Sequence, residues 1–248
     1  MIQPVIQPPA AETAERAARP PVQARLERVL DGLIAQHAAD PTRAAAARQQ
    51  YEARRGKVHQ DDELWEAWSA AFVEWLVVER VDEDGVVPIM RSLQELGRQG
   101  VAADEPGAAP ESSASARGLR AEDHALATAL LTSHRSLFEI RQMDRGRVEL
   151  LDLLGGGEFS VVEPRALVGV EVGDVAELRL CGIEDEVYFG RTFIYHPRSA
   201  RGVIVEQASA MLGRGSSRRD VIDRMASSRV TLSRYRHVPA ARVYERMG

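Results

Sequence analysis

The stretch SLFEIRQMDRGRVELLDLLGGGEFSVVEP, residues 136–164, decides the fold, because apolar and polar residues alternate along it and turn residues interrupt it. Such alternation is typical of short strands with one buried face. The pattern continues towards the C-terminus, and five strands are predicted: residues 136–143, 148–154, 158–163, 175–181 and 186–195. We expect these strands to close into a small antiparallel β barrel, because closure removes unpaired strand edges.

Helices are predicted on both sides of this module, where apolar residues recur every three or four positions. Asp40 followed by Pro41 predicts the start of one helix, and Gly56 predicts its end. The predicted fold is therefore α+β, in five parts: a disordered arm at 1–22, a helical domain at 23–100, a flexible linker at 101–118, a helix followed by the small barrel at 119–197, and basic C-terminal helices at 198–248.

The composition excludes several classes of protein. The net charge of -5 and the pI near 5.8 argue against a chain that coats nucleic acid by charge alone. One cysteine, Cys181, allows neither an intramolecular disulfide nor a zinc site built from cysteines. No apolar stretch has the length of a membrane span or the form of a signal peptide, so we expect a cytoplasmic protein that does not contact membranes.

Charge is distributed unevenly along the chain. Residues 198–248 contain 11 Arg and 4 acidic residues, a net of +7, which leaves a net of -12 for residues 1–197. Opposite charges at the two ends favour attraction between them. This attraction could act within one molecule or between two copies, so self-association is one expectation.

A family resemblance is carried by FVEWLVVERVDEDGVVPIMRSL (72–93), by the stretch 136–164 quoted above, and by GDVAELRL (173–180) and FGRTFIYHP (189–197). These motifs resemble a poorly characterised group of bacterial proteins in which a helical segment with an aromatic-Glu-Trp signature precedes a small β module. Some members carry a Cys-rich, zinc-binding tail of the SEC-C type. The resemblance implies this architecture, but no metal function, because the chain lacks the Cys-rich tail.

The basic C-terminal region contains the candidate binding residues. The segment 213–219, GRGSSRR, precedes a predicted helix, whose amides and dipole attract anions. A solvated loop with a serine cap is the simpler interpretation of the same residues. The candidate residues for a partner or an anion are Arg214, Arg218, Arg219, Arg224, Arg229 and Tyr235.

The three tryptophans form a second candidate surface. Trp65, Trp68 and Trp75 recur at helical spacing together with Phe72. Such a stripe is most simply the core of the helical domain. The alternative is a groove for a partner, because Trp is enriched at binding hot spots.

Catalytic patterns are weak in this sequence. Gly155–Gly157 lacks the flanking residues of a phosphate-binding loop and is interpreted as a hairpin turn. Cys181 and His196 are residue types of a nucleophile and a base, but nothing in the sequence supplies an orienting third group. We therefore assign no catalytic residue, no metal ligand and no cofactor.

These observations favour recognition over catalysis. The first hypothesis is a non-enzymatic adaptor or regulator that binds another protein, with a component of bacterial signalling as one candidate partner. The second is a nucleic-acid-binding protein that uses the basic C-terminal helices. The third and weakest is an enzyme that acts on a phosphorylated small molecule at the loop 213–219.

Overall fold

A computed structural model describes residues 21–103, 119–164, 167, 169–235 and 237–246. Its centre is a closed five-stranded barrel with the strand order β1-β2-β3-β5-β4, which confirms the α+β prediction. The strands are β1 (His134–Asp144), β2 (Gly146–Asp152), β3 (Glu158–Glu163), β4 (Val175–Ile183) and β5 (Glu186–His196). The predicted turn at Gly155–Gly157 joins β2 to β3, where Gly156 has a φ of +73°.

The barrel is mixed, whereas the sequence suggested an antiparallel one. Neighbours are antiparallel except at the β3–β5 ladder, where Val161 pairs with Val187 and Val162 with Tyr188 in parallel. The reason is parity, because strand directions cannot alternate all the way round a closed ring with an odd number of strands. At least one ladder must be parallel, and here it is a short one.

The barrel interior is a packed core. Apolar side chains from all five strands fill it, and they belong to one buried cluster: Phe138, Ile140, Val148, Leu150, Val161, Ala176, Leu178, Leu180 and Phe189. Small barrels are commonly filled in this way. Any binding site must therefore lie on the outside of the barrel.

Eight α-helices surround the barrel in the described residues. They are α1 (Pro21–His37), α2 (Pro41–Arg55), α3 (Trp65–Val78), α4 (Pro88–Ala103), α5 (His124–Leu131), α6 (Arg201–Gly213), α7 (Arg218–Arg234) and α8 (Ala240–Arg246). The predicted boundaries of α2 are confirmed: Asp40 accepts hydrogen bonds from the amides of Thr42 and Arg43, and the chain leaves the helix at Gly56 with a φ of +89°. Helix α7 begins at a capping box of Ser217 and Asp220.

The N-terminal helices pack directly on the barrel. One apolar core joins α1, α3 and α5 to Cys181 and Ile194 on the outer face of the barrel and to Val230 of α7. A separate core joins α6, α7 and α8 to Leu137 and Val175. Helices from both halves of the chain therefore pack on the same barrel.

Most of the predicted N-terminal arm and of the predicted linker lies outside the described residues. Residues 1–20 of the predicted arm lie outside them, and so do residues 104–118 of the predicted linker. Helix α4 continues to Ala103, three residues into the range assigned to the linker. None of the described helices combines the length and the apolar character needed to cross a bilayer.

Candidate functional site

The first turn of α7 separates two depressions that contain most of the predicted binding arginines. Arg218 and Arg219 line a cavity of about 250 Å³ against the barrel, which we call the barrel cavity. Arg214 and Arg224 line an open groove of about 550 Å³ between α6 and α7, which we call the α6–α7 groove. The structure therefore divides the predicted arginines between two sites.

The barrel cavity is formed where four parts of the fold meet. Its walls come from the end of α3, the end of α5, strands β1 and β4, and the start of α7. The lining residues are Val78, Glu79, Leu131, Ser133, His134, Arg135, Arg179, Arg218, Arg219 and Ile222. Four guanidinium groups thus face one carboxylate across this cavity.

Arg218 is fixed by Asp152 at the end of β2. Its Nη2 donates to Asp152 Oδ2 at 2.5 Å and to Ser136 Oγ at 3.0 Å. His134 Nε2 also lies 2.9 Å from Asp152 Oδ2, and Ser136 donates to Oδ1 at 2.5 Å. Burial opposes ionisation of Asp152, but these hydrogen bonds outweigh it and lower the pKa of the carboxyl group. Asp152 is therefore a charged anchor for α7.

A glycine in the turn after β2, Gly155, leaves the space that the ion pair between Asp152 and Arg218 occupies. A Cβ atom on Gly155 would lie 2.7 Å from Arg218 Nη1 and 2.8 Å from Asp152 Oδ2. Any larger residue would therefore displace the ion pair. The predicted hairpin turn thus has a second role, because it admits the guanidinium of Arg218.

Ser136, His134 and Asp152 are the residue types of a hydrolase triad, but their hydrogen bonds connect them differently. In a triad the histidine takes the proton of the serine and the aspartate orients the histidine. Here Ser136 donates directly to Asp152, and its side chain is fully buried. His134 also turns to the same carboxylate. The arrangement therefore supplies no base to the serine.

Glu79 organises the other arginines of the barrel cavity. It is 8% exposed and accepts a hydrogen bond from Arg179, while Arg135 Nη1 lies 3.3 Å and Arg219 Nε 3.6 Å from its oxygens. Burial raises the pKa of Glu79, but the positive charges of Arg135 and Arg179 dominate and lower it to about 2. Glu74 on α3 holds Arg179 from behind, with 2.6 Å between Oε1 and Nε.

A buried ion network continues below the cavity. Arg55 at the end of α2 is 1% exposed and pairs with Glu177 of β4, which is equally buried. Its Nη1 also donates to Asp223 of α7 at 3.1 Å. Burial raises the pKa of Glu177, but the charges of Arg55 and Arg135 reverse the direction and lower it. One arginine thus connects α2, the barrel and α7.

The α6–α7 groove differs because two of its arginines, Arg214 and Arg224, have no acidic partner within the described ranges. Its lining residues are Arg54, Met211, Arg214, Ser216, Asp220, Asp223 and Arg224. Arg54 engages both aspartates, with Nε 2.7 Å from Asp223 and Nη2 3.5 Å from Asp220. Arg224 is half-buried, and burial lowers the pKa of its guanidinium without any compensating carboxylate.

The family comparison covers most of both sites. Residues 106–234, just over half of the chain, match the model of a family of unknown function, DUF7986. The chain belongs to the DUF7986 family. No curated protein and no solved structure matches it. The matched range includes the strands and α5–α7, whereas Glu79 and Arg54 of the two sites lie before it.

Membership in DUF7986 fits the expected resemblance to a group without assigned biochemistry, but it adds no support for the SEC-C type. In the described part of the chain, no group of three or more His, Cys, Asp or Glu residues is placed to hold a metal ion.

The other predicted C-terminal residues lie outside the two depressions of this DUF7986 chain. Arg229 donates through Nε to the carbonyl oxygen of Tyr195 at 2.9 Å and through Nη2 to Glu63 at 3.1 Å. Tyr235 is 52% exposed at the C-terminal end of α7. It lies 11 residues beyond Arg224, about 16 Å along the helix axis at 1.5 Å per residue, so it does not line the groove.

The tryptophans belong largely to the helical core. Trp68 is 2% exposed and meets Tyr51 edge-on at 4.7 Å between ring centroids. Trp65 and Trp75 are half-buried, and Arg48 stacks over Trp65 at 4.8 Å. A partner could therefore reach only the outer rims of Trp65 and Trp75 without unpacking α3.

Cys181 and His196 are separated in the barrel. On the β4–β5 ladder Cys181 pairs with Tyr188, whereas His196 pairs with Val175, six residues away along β4. Burial raises the pKa of the Cys181 thiol to about 12 and lowers that of His196 to about 4. The thiol is thus protonated at neutral pH, and the two residues cannot act as a nucleophile and its base.

Several residues that line the barrel cavity were not predicted from the sequence. Glu79, Arg135 and Arg179 come from three separate segments, and no local motif connects them. One signal was present in β4, where Glu177 and Arg179 alternate with apolar residues that face the barrel interior. Two opposite charges on the second face of a buried strand indicate an ion network under a covering helix.

Proposed function

We propose that this chain is a non-enzymatic protein-binding module that holds an acidic segment of a partner protein in the α6–α7 groove. The observation that carries the proposal is Arg224, a half-buried guanidinium without a carboxylate partner among the described residues. A desolvated charge without a counter-ion is unfavourable, so an incoming carboxylate would stabilise it. An adaptor or regulatory role in the cytoplasm follows from this proposal.

Two of the other predicted arginines form close ion pairs within the molecule, and Arg219 has a longer contact. Arg218 pairs with Asp152, Arg219 lies near Glu79, and Arg229 pairs with Glu63. These internal pairs reduce the charge available to a phosphate backbone, which argues against the second hypothesis, a nucleic-acid surface along α7. Among the residues that the structure describes, Arg214 and Arg224 have no acidic partner, so we take them as the ligand-binding pair.

The lining of the α6–α7 groove combines charged and polar side chains with the apolar side chain of Met211. Arg54 neutralises much of the negative charge of Asp220 and Asp223, so the field at the groove mouth comes mainly from Arg214 and Arg224. Met211 contributes a flexible apolar surface between them, and such side chains adapt to varied partners. An extended segment with alternating acidic and apolar residues fits these features.

The first test measures binding of a fluorescent decaglutamate peptide by anisotropy at low salt. We expect the purified chain to bind it and the variant Arg214→Glu/Arg224→Glu to bind at least about tenfold more weakly, because two favourable charges become repulsive. The matched control is Arg145→Glu, which reverses an exposed charge in the β1–β2 turn, outside the lining of the groove. Equal losses in both variants would refute the site.

A second arm distinguishes the other hypotheses. A single-stranded oligonucleotide of the same length is titrated in parallel, and tighter binding of it with a steep salt dependence would replace the proposal by a nucleic-acid function. Sedimentation of the chain alone tests self-association. A concentration-dependent dimer that Arg214→Glu/Arg224→Glu abolishes would identify a second copy as the acidic partner.

A further inference from the structure

We infer that the barrel cavity is a binding site for a phosphate group, carried by inorganic phosphate or by a phosphate monoester. This site is separate from the α6–α7 groove, because it lies on the other side of α7 and shares no lining residue with the groove. The inference therefore does not depend on the proposed function.

The charge of the lining favours a dianion. Arg135, Arg179, Arg218 and Arg219 contribute four positive charges, and Glu79 contributes one negative charge. The carboxylates that balance the deeper arginines, such as Glu74 and Glu177, do not line the cavity. Arg179 directs its three nitrogens to Glu74, Ser133 and Glu79, so Arg135 and Arg219, with longer contacts, are the lining arginines best able to bind a further anion.

Arg135 is the buried group with the poorest contacts. Its side chain is 10% exposed, and its nearest carboxylate oxygens lie at 3.3 Å on Glu79, 3.5 Å on Asp223 and 3.8 Å on Glu177. Charge-assisted hydrogen bonds normally measure about 2.7–2.9 Å. Its buried Nε has no hydrogen-bond partner. This Nε lies nearest to Glu177, outside the lining, whereas an acceptor in the cavity would improve the long contacts of the other two nitrogens of Arg135.

Two other features complete the site. Arg218 and Arg219 are the first two residues of α7, so the positive end of a 17-residue helix lies at the cavity. The cavity volume of about 250 Å³ equals roughly eight waters at about 30 Å³ each. This space admits a tetrahedral oxyanion together with the small group that a monoester would carry.

Phosphate binding is tested by isothermal titration calorimetry of the full chain near neutral pH. Inorganic phosphate and O-phosphoserine are titrated separately, with potassium chloride used to match the ionic strength. We expect saturable one-site binding of at least one of them. Tighter binding of inorganic phosphate would indicate a free anion as ligand, and tighter binding of O-phosphoserine would indicate a monoester.

The decisive variant is Arg219→Ala. The Arg219 side chain is 60% exposed, and its one ion pair within the described residues is with Glu79 at 3.6 Å, so its removal should leave the fold intact. We expect phosphate affinity to fall by about tenfold or more, as for a lost hydrogen bond to a charged group. The control Arg145→Ala removes an exposed arginine in the β1–β2 turn that lines neither depression, and it should bind phosphate as the unaltered chain does.

Two outcomes would overturn the inference. One is the absence of saturable heat with both phosphate ligands, and the other is an equal affinity of the Arg219→Ala and Arg145→Ala variants. Neither result bears on the α6–α7 groove, whose test uses a polyglutamate peptide and the Arg214→Glu/Arg224→Glu variant. The two proposals can therefore fail separately.

Discussion

Replacing Arg55 by Met should destabilise the protein strongly, although the new side chain has a similar length and is apolar. Arg55 is 1% exposed and pairs with Glu177, which is also 1% exposed, and with Asp223. In the variant, Asp223 keeps Arg54 at 2.7 Å, but Glu177 keeps only Arg135 at 3.8 Å. Glu177 then becomes a buried charge with little compensation.

The expected loss of stability follows from the poorly compensated charge of Glu177 in the variant. Removing one partner of a buried ion pair typically costs about 3–5 kcal/mol. We expect a value near the lower end, about 3 kcal/mol, because Arg135 remains nearby. The penalty should shrink as the pH falls, because without Arg55 the burial of Glu177 raises its pKa and the group can take up a proton. In the unaltered chain Arg55 and Arg135 hold that pKa below its ordinary value.

Urea unfolding followed by tryptophan fluorescence measures this effect, because all three tryptophans lie in α3. The variants are Arg55→Met, Glu177→Gln and the double variant, with Arg145→Met as an exposed control. We expect the double variant to lose less stability than the sum of the single variants. A cost below about 1 kcal/mol for Arg55→Met at neutral pH, or a cost that does not change on acidification, would refute the reasoning.

Three further predictions concern a glycine, a histidine and the cysteine. Gly155→Ala should cost about 1–3 kcal/mol in urea unfolding through the clash with the Asp152 ion pair, whereas Gly182→Ala, with nothing within 4 Å of its Cβ, should stay within about 0.5 kcal/mol. His196 has a folded pKa of about 4 against 6.5 in an unfolded chain, so the unfolded state binds its proton first and stability should fall by about 3 kcal/mol between pH 6.5 and 4. The variant His196→Asn should lose less stability than the unaltered chain as the pH falls from 6.5. An unchanged dependence of stability on pH would contradict the low pKa of His196. Cys181 should resist a thiol reagent in the folded protein and react in urea, and rapid labelling under native conditions would show that β4 is not packed as described.

The barrel could be predicted from local patterns, because alternation and turn residues report directly on strands and their ends. The α2 helix was predicted for the same reason, since Asp40 and Pro41 act on its first turn and Gly56 acts on its last. The parallel β3–β5 ladder could not be derived locally, because it follows from closure of the whole ring. The same holds for the packing of α3 on the barrel, which depends on residues far apart in the sequence.

The candidate site was predicted only in part, because the sequence shows charges but not their partners. The excess of +7 in residues 198–248 suggested a basic surface, but the acidic first part of the chain neutralises much of it. Arg201 donates to both oxygens of Glu139 at 2.8 Å, and Arg198 pairs with Asp174 at 3.0 Å. These pairs stabilise the contact between the C-terminal helices and the barrel. The arginines that we propose as binding residues are the exceptions, whose geometry leaves donors without close partners among the described residues, and tertiary packing determines which arginines those are.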